Sequence, residues 1–382
     1  MKAREHEALL TLMLTPGLGP TLVGRCLDAF GSAEEVMGAS ANQLAAIRGI
    51  SPRRSGELLR AMRDTRRSGA PAREIDLCQQ KGVQLIALGA PAYPRLLEHI
   101  PDPPPLLWVR GELRGDDALA LGVVGSRRCT HYGREQAGRL SYQCSQAGLA
   151  IVSGGAYGID AAAHRGALRA GGRTVAVLGS GLEKPYPRDH VDLFAEIAET
   201  GALVSELPLH TAPAAENFPR RNRIISGMAL GVLVVEAALR SGALITARVC
   251  VEDHGRELMA LPGRVDSTAS AGCHQAIRDG WATLVTGASD ILDALGETGQ
   301  MLKLAEAGDD GEPAPTGDSL FEMNLTDTQA KIVGALAQPR SLDELAAGTG
   351  LAVAAVQADL TLLEIRGTIR RENGLFVRRQ GN

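Results

Sequence analysis

The chain has 382 residues, with 40 lysines and arginines against 44 acids, and 45% of its residues are hydrophobic. This length predicts two or three domains with a full core, and the near balance of charge gives no overall sign of a polyanionic partner. Six cysteines without a C-x-x-C pair are typical of a reduced protein and argue against a zinc or disulfide framework. We see no signal peptide and no apolar run of about 18 residues, so we expect a cytoplasmic protein without a membrane segment.

Residues 1–75 are predicted to form a helical domain of the SAM or helix-hairpin-helix type. The stretches Leu9–Leu14 and Thr21–Phe30 flank Pro16-Gly17-Leu18-Gly19-Pro20, and Gly49-Ile50-Ser51 is a weaker second copy of this turn. Such a turn resembles a helix-hairpin-helix, whose amides contact a DNA phosphate, but any tight helical hairpin needs the same glycines. Residues 48–73 carry eight arginines against two acids, which fits either a polyanion-binding face or a solvated one.

Residues 76–297 alternate strands with helices. A connector, Ala72–Gly115, contains the helix-breaking Pro101–Pro105. The predicted strands are Ala118–Val124, Leu149–Val152, Thr174–Leu178, Ala202–Leu207, Leu230–Ala237, Glu257–Leu261 and Thr283–Val285. Helical stretches begin near Tyr132, Gly158, Asp189, Asn217, Gly242, Gly272 and Ala288. The alternation predicts an α/β fold with an extended Rossmann-like, doubly wound, mostly parallel sheet.

Three of these strands end in glycine turns, Gly125-Ser126-Arg127, Ser153-Gly154-Gly155 and Gly179-Ser180-Gly181. The carboxyl ends of parallel strands share one edge, where helix N-termini present free amides, so the turns predict a phosphate-binding floor. A dinucleotide enzyme would need G-x-G-x-x-G after the first strand and an acid ending the second, and the chain has neither.

Catalytic groups are sparse in the pattern. Asp160 and His164 are four residues apart on one predicted helix. They form either an oriented base or, as we favour, a first-turn aspartate and a packed histidine. No nucleophile elbow and no metal-ligand spacing are present, so we predict no catalytic residue, metal or cofactor.

Groups suited to binding a nucleic acid are more numerous. Tyr132, Tyr157 and Tyr186 lie in or beside the glycine turns. Aromatic faces over a cationic floor suit a single strand, at about 1–3 kcal/mol per stacked base. We expect one or two of the arginines at 220, 221 and 223 to pair with Glu206 or Glu236, because a buried unpaired charge is costly. The predicted site residues are Gly125, Ser126, Arg127, Gly154, Gly155, Lys184, Tyr186, Phe218, Arg220, Arg221 and Arg223.

The C-terminal part is predicted to be an acidic flexible linker, 298–324, followed by a winged-helix-like domain, 325–382. Its elements are the helices Asp327–Leu336, Ser341–Thr349 and Ala352–Arg366, with Val353, Val356, Leu360 and Leu363 on one face, and a hairpin around Glu372-Asn373-Gly374. Its cations are Arg366, Arg370, Arg371, Arg378 and Arg379. They suit a duplex, but a protein-docking role for this domain is an equal alternative.

Seven blocks in register resemble the DNA-processing protein A (DprA/Smf) family over roughly residues 85–290. They are GSRRCTHYG, SGGAYGIDAAAHRGAL, LGSGLEKPYP, SELPL, FPRRNRIISGMA, VVEAALRSGALITAR and LPGRVD. The resemblance implies a non-enzymatic protein of natural transformation that binds incoming single-stranded DNA, forms a homodimer and helps load the RecA recombinase. It implies DNA contacts from Arg127, Lys184 and the amides of Gly125, Ser126, Gly154 and Gly155. One block departs from the family pattern, with Gly272-Cys273-His274 in place of G-x-N.

Two alternatives stay open. An enzyme on the same sheet would resemble the LOG/lysine-decarboxylase-like phosphoribohydrolases, which act on nucleoside monophosphates. Their P-G-G-x-G-T turn is absent here, although Glu236 ends a strand and Gly242 is nearby. The other alternative is an interaction scaffold without salt-dependent DNA binding.

Overall fold

One nine-stranded sheet dominates the computed structural model, which describes residues 3–307, 327–336, 338–351, 353, 356–357, 359–360, 363, 369–372 and 375–378. The strands of this sheet are β1 (Val83–Ala87), β2 (Leu106–Gly111), β3 (Ala120–Val124), β4 (Ala150–Ser153), β5 (Thr174–Val177), β6 (Ala202–Ser205), β7 (Gly231–Val234), β8 (Glu257–Ala260) and β9 (Thr283–Leu284). Their order in space is β1-β2-β6-β5-β4-β3-β7-β8-β9. Neighbours from β6 to β9 are parallel, whereas β2 is antiparallel to both β1 and β6.

Helices surround this sheet and precede it in the chain. They are α1 (Ala3–Leu14), α2 (Pro20–Phe30), α3 (Ala33–Gly38), α4 (Ala41–Ala45), α5 (Pro52–Arg67), α6 (Ala70–Gln80), α7 (Arg95–Glu98), α8 (His131–Gln146), α9 (Ile159–Arg169), α10 (Val191–Thr200), α11 (Asn217–Met228), α12 (Ala243–Arg248), α13 (Ala271–Arg278), α14 (Ala288–Ala294) and α15 (Gly296–Ala307). A π-helical turn, Val249–Asp253, extends α12. None of the described helices combines the length and apolarity that crossing a membrane requires.

The predicted α/β fold is confirmed. The seven predicted strands correspond to β3–β9, and each predicted helix of the central region begins within a few residues of the observed one. Every residue of β3 is buried, as expected for a strand covered on both faces. The connector Ala72–Gly115 contains β1 and β2, two strands that were not predicted. Trp108 in β2 is fully buried, and this strand pairs on both sides.

Helices of the N-terminal region share a hydrophobic cluster with one face of the sheet. Leu10 and Met62 belong to the same cluster as Trp108 and Leu203. Residues 1–314 therefore form one compact unit, and residues 315–382 form the other. The predicted division near residue 75 lies within the first unit and stays a prediction. The predicted linker was wrong for residues 298–307, which belong to α15, and residues 308–324 lie outside the described chain.

The second unit contains α16 (Asp327–Ala335), α17 (Leu342–Thr349) and an antiparallel hairpin of β10 (Ile369–Glu372) and β11 (Leu375–Arg378). Ser341 and Glu344 form the capping box at the start of α17. Val356, Leu360 and Leu363 are buried with the hairpin residue Phe376, but Val353, which was predicted on the same helix face, is 47% exposed. The side chains of Arg366, Arg370, Arg371, Arg378 and Arg379 lie outside the described part of the chain.

Candidate nucleic-acid interface

A cavity of about 740 Å³ opens where β3 ends and α9 and α11 begin. This is the carboxyl edge of the parallel sheet, the place where open α/β sheets bind ligands. Its walls are formed by Val124, Gly125, Ser126, Arg127, Arg128, Ala156, Asp160, Tyr186, Pro213, Ala215, Phe218, Pro219, Arg221, Asn222, Ile225, Ser241, Gly242, Ala243, Ile245 and Thr246.

The first glycine turn forms one wall and is held by its own backbone. The Ser126 amide donates to the Glu236 carbonyl at 2.7 Å, and the Ser126 carbonyl accepts from the Ile159 amide at 3.3 Å. A Cβ at Gly125 would stand 2.5 Å from Ile159 Cγ1, so this close approach requires glycine. The predicted use of the Ser126 amide for a phosphate was therefore wrong, because this donor is already bonded within the fold.

Arg127 extends from this turn over an aromatic ring. Its guanidinium carbon lies 4.9 Å from the centre of the Phe218 ring, a cation–π distance. The Phe218 ring is in turn 5.7 Å from the ring of Tyr186, which is 41% exposed. The structure thus brings together three predicted residues that are far apart in the chain. They form a positive charge and two aromatic faces at the mouth of the cavity.

The second glycine turn lies beneath the cavity. Gly154 and Gly155 are buried, and a Cβ at Gly155 would stand 2.6 Å from the Phe194 ring. The Gly154 carbonyl accepts a hydrogen bond of 2.7 Å from Arg221, which is only 3% exposed. These carbonyls and glycines hold the turn in place, and the DNA contacts predicted for the amides of Gly154 and Gly155 stay a prediction.

Burial dominates the electrostatics of this lower layer. Burial lowers the pKa of Arg221 to about 10, although the neighbouring Asp160 acts in the opposite direction. Burial also raises the pKa of Asp160, and the charge of Arg221 limits the rise. The Asp160 carboxylate accepts from the Ala156 amide at 3.3 Å, while Arg221 Nε has no hydrogen-bond partner among the described atoms. The charge of each residue therefore stabilises the ionised form of the other.

The neighbouring arginines of α11 have different environments. Arg223 forms an ion pair of 2.8 Å with Glu206 and a second of 3.2 Å with Asp102. This confirms the expectation that one or two arginines of this helix are paired inside the domain. Arg220 is exposed but does not line the cavity.

Lys184 belongs to the third glycine turn and is exposed outside the cavity walls. Its amide donates to the Gly181 carbonyl at 2.9 Å, which closes the turn. The preceding Glu183 is bound by Arg110 and, at 3.4 Å, by Lys81. The turn that carries the ammonium group of Lys184 is therefore held in place at Glu183.

Two of the three tyrosines predicted beside the turns do not line the cavity. The Tyr157 hydroxyl donates to Asp189 at 2.8 Å, and the Tyr132 hydroxyl donates to the Pro262 carbonyl at 2.8 Å. The wall formed by Ser241–Thr246 was not predicted. Its signal is available in the sequence, because this segment directly follows β7 and so reaches the same sheet edge.

The groups considered for catalysis are structural. His164 is fully buried, its Nδ1 is 2.7 Å from Thr174 Oγ1, and burial lowers its pKa to about 3. This confirms the interpretation of a packed histidine. Glu236 is 1% exposed and accepts two bonds from Thr130, at 2.9 and 3.2 Å, at the start of α8. The described residues contain no cluster of three or more metal-ligating side chains.

Comparisons with known proteins agree with this architecture. Residues 84–296 match the family described as DNA recombination-mediator protein A, and residues 313–374 match the DprA winged helix domain. Protein Smf of Synechocystis is 35% identical over the whole of both chains, and protein Smf of Escherichia coli is 41% identical over 80% of both.

Two solved structures are similar to the chain. The X-ray structure of DNA processing protein A from Streptococcus pneumoniae has a TM-score of 0.65 and 32% identity, covering 77% of this chain and 98% of that one. DNA processing protein A from Helicobacter pylori, described for its unique single-stranded DNA binding mode, has a TM-score of 0.50 and 28% identity, covering 56% of this chain and 95% of that one.

Proposed function

Because the chain belongs to the DNA recombination-mediator protein A (DprA/Smf) family, we propose that it binds single-stranded DNA in the cavity at the carboxyl edge of its sheet. It acts in DNA processing by binding the strand, and it neither makes nor breaks a covalent bond. In the finer part of the proposal, the protein acts in the cytoplasm as a homodimer, protects incoming DNA in natural transformation and helps load RecA.

The observation that carries the proposal is the arrangement of Arg127, Phe218 and Tyr186 at the cavity mouth. A guanidinium group forms two parallel hydrogen bonds with a phosphate, and an exposed aromatic ring stacks with a base of any sequence. The stacking contact needs an unpaired strand, because the bases of a duplex are stacked on each other inside the helix, whereas phosphates are accessible in both forms. The arrangement therefore favours single-stranded over double-stranded DNA.

The predicted residues divide into two roles. Arg127, Lys184 and Arg220 are exposed cations, and Tyr186 and Phe218 offer ring faces, so we assign these five to strand contact. We assign the others to positioning: Gly125, Ser126, Gly154, Gly155, Arg221 and Arg223 hold the turns and helix α11 through the contacts described above.

The enzymatic alternative receives no support from the cavity. Its only carboxylate among the described lining residues is Asp160, which is 7% exposed. Glu236, the acid that a phosphoribohydrolase would require near Gly242, is committed to capping α8. Neither acid is presented to a glycosidic bond.

The test is a salt titration of oligo-dT binding to the full chain and to Arg127→Ala. We expect the substitution to weaken binding about tenfold, the equivalent of a charge-assisted contact of about 1.5 kcal/mol, and to reduce the log–log salt slope by about 0.7. Arg169→Ala is the matched control, since Arg169 is exposed about 14 Å along α9 from the cavity residue Asp160. An Arg127→Ala protein with the affinity and slope of the control would reject the site.

A further inference from the structure

The sixteen-residue helix α5 turns a row of arginines to solvent. Its buried residues are Ser55, Leu58, Met62 and Thr65, which recur at intervals of three and four and define one inward stripe. At 100° per residue, Arg53, Arg60 and Arg67 lie opposite that stripe and above one another, and all three are exposed. Neighbours in this arginine row are about 10 Å apart along the helix axis, and the row spans about 21 Å.

The arginine row is not used by the fold. Arg60 and Arg67 have no hydrogen bond or ion pair in the described part of the chain. Arg53 has one acidic neighbour, Glu57, at 3.4 Å, and its side chain is 91% exposed. An ion pair this exposed contributes at most about 1 kcal/mol, so it is readily exchanged for another anion. The row therefore keeps its charge available for a ligand.

A fourth arginine of the helix fixes the direction of the row. Arg54 donates to the Gly17 carbonyl at 2.7 Å and to the Gly49 carbonyl at 3.3 Å. Gly17 has φ of +85° and Gly49 has φ of +98°, so both turns depend on glycine. Because Arg54 holds both turns against α5, the helix cannot rotate freely, and the row stays on the outer surface.

Two further exposed cations lie on α6 and directly after it, in the segment that joins α5 to β1. Arg73 of α6 is exposed and donates to the Ser68 carbonyl at the corner between α5 and α6. Lys81, directly after α6, is 47% exposed and pairs at 3.4 Å with Glu183, the neighbour of Lys184. The cations thus form a path from the turn that carries Lys184 to the end of the arginine row.

We propose that the row of Arg53, Arg60 and Arg67 binds the phosphates of a single DNA strand after it leaves the cavity. This inference rests on the proposed function. The cavity lies at the end of β3, and the segment that carries the row leads through α6 into β1. Strand β1 is five positions from β3 in the sheet, which is about 24 Å at about 4.8 Å per strand. A stacked strand needs about seven nucleotides to cover that distance, at about 3.4 Å each. Shorter strands occupy the cavity alone, and only longer ones reach the row.

The experiment compares two lengths of oligo-dT, one of about five and one of about thirty nucleotides, and a duplex of the greater length, on the full chain. The variant is Arg60→Gln with Arg67→Gln, and the control is Arg165→Gln with Arg169→Gln, which removes two exposed charges from α9. We expect the variant to bind the long strand about tenfold more weakly, with a salt slope lower by about 1.4, and the short strand unchanged. Replacing the acids beside the row, Glu57→Gln with Asp64→Asn, has the opposite sign and strengthens long-strand binding.

The outcomes separate the inference from the proposed function. If the short strand does not bind the parent protein in the Arg127-dependent manner, the proposed function fails. If it does bind, and the variant leaves the long-strand affinity and slope at control values, the inference alone is overturned. Equal weakening of both lengths also overturns it, because the row would then belong to the cavity. A variant that loses affinity for a duplex and not for the long single strand identifies a duplex as the occupant and overturns the inference as stated.

Discussion

Replacing Arg221 tests whether the floor of the cavity is held by a buried cation. Arg221→Ala removes a side chain that is 3% exposed and donates to the Gly154 carbonyl at 2.7 Å. It also removes the stronger of the two positive charges that act on the Asp160 carboxylate, which is 7% exposed, and leaves that of Arg127. The natural control is Arg220→Ala, the same substitution at the next residue, whose side chain is exposed.

The expected decrease in the free energy of unfolding of Arg221→Ala has two parts. A hydrogen bond that involves a charged group contributes about 1.5–3 kcal/mol, and a buried charge left without its partner brings the total to about 3–5 kcal/mol. An exposed substitution such as Arg220→Ala changes the free energy of unfolding by about 0.5 kcal/mol or less. Adding Asp160→Asn to Arg221→Ala removes the stranded charge, so the double variant recovers part of the loss.

The assay is urea denaturation at pH 7 and at pH 4. Without Arg221, the pKa of Asp160 in the folded protein rises further above its unfolded value of about 4. Stability then falls as pH rises through that window, because the folded state holds a proton that the unfolded state has released. The loss is therefore larger at pH 7. If Arg221→Ala destabilises the protein no more than Arg220→Ala, or if Asp160→Asn restores no stability, the floor of the cavity is not held by this buried cation.

The other predictions concern DNA binding, stability at acid pH and the enzymatic alternative. Phe218→Ala weakens oligo-dT binding by about 1–3 kcal/mol with an unchanged salt slope, since a stacking face is lost without a charge; a changed slope contradicts this role. Lys184→Ala lowers the slope by about 0.7, and an unaltered slope removes Lys184 from the interface. The pKa of His164 is lowered to about 3 by burial, so stability falls by up to about 1.4 kcal/mol per pH unit below pH 6.5. In acid denaturation curves, His164→Gln makes this fall in stability less steep. An equally steep fall would contradict the role given to His164. Nucleoside monophosphates incubated with the protein release no free base by chromatography, whereas sustained release would restore the enzymatic alternative.

The parallel part of the sheet could be predicted because each of its strands is a short apolar run that ends in a turn. Strand β2 was not predicted, although Leu106–Gly111 is also an apolar run. It follows Pro101–Pro105 at once, and its two antiparallel partners are β1, across a proline-rich loop, and β6, about a hundred residues away. Strand order likewise follows from long-range pairing, which no local pattern specifies.

The sequence predicts where the site lies on the sheet, but it does not predict which side chains contact each other there. The glycine turns mark the edge of the sheet, but the stacking of Arg127 on Phe218 joins distant parts of the chain. The sequence does carry a signal for the burial of Arg221, because this residue continues the helical spacing of a buried stripe formed by Ile224, Ile225 and Met228. Which carboxylates bind Arg223 depends on the sheet bringing Glu206 to it.

A crystal structure of the full chain with oligo-dT would show where a single strand binds. We expect a phosphate within hydrogen-bond distance of the Arg127 guanidinium and a base against the ring of Phe218 or Tyr186, and we expect every glycosidic bond of the strand to be intact. A strand bound elsewhere on the protein, with the cavity occupied by a small metabolite, would contradict this expectation.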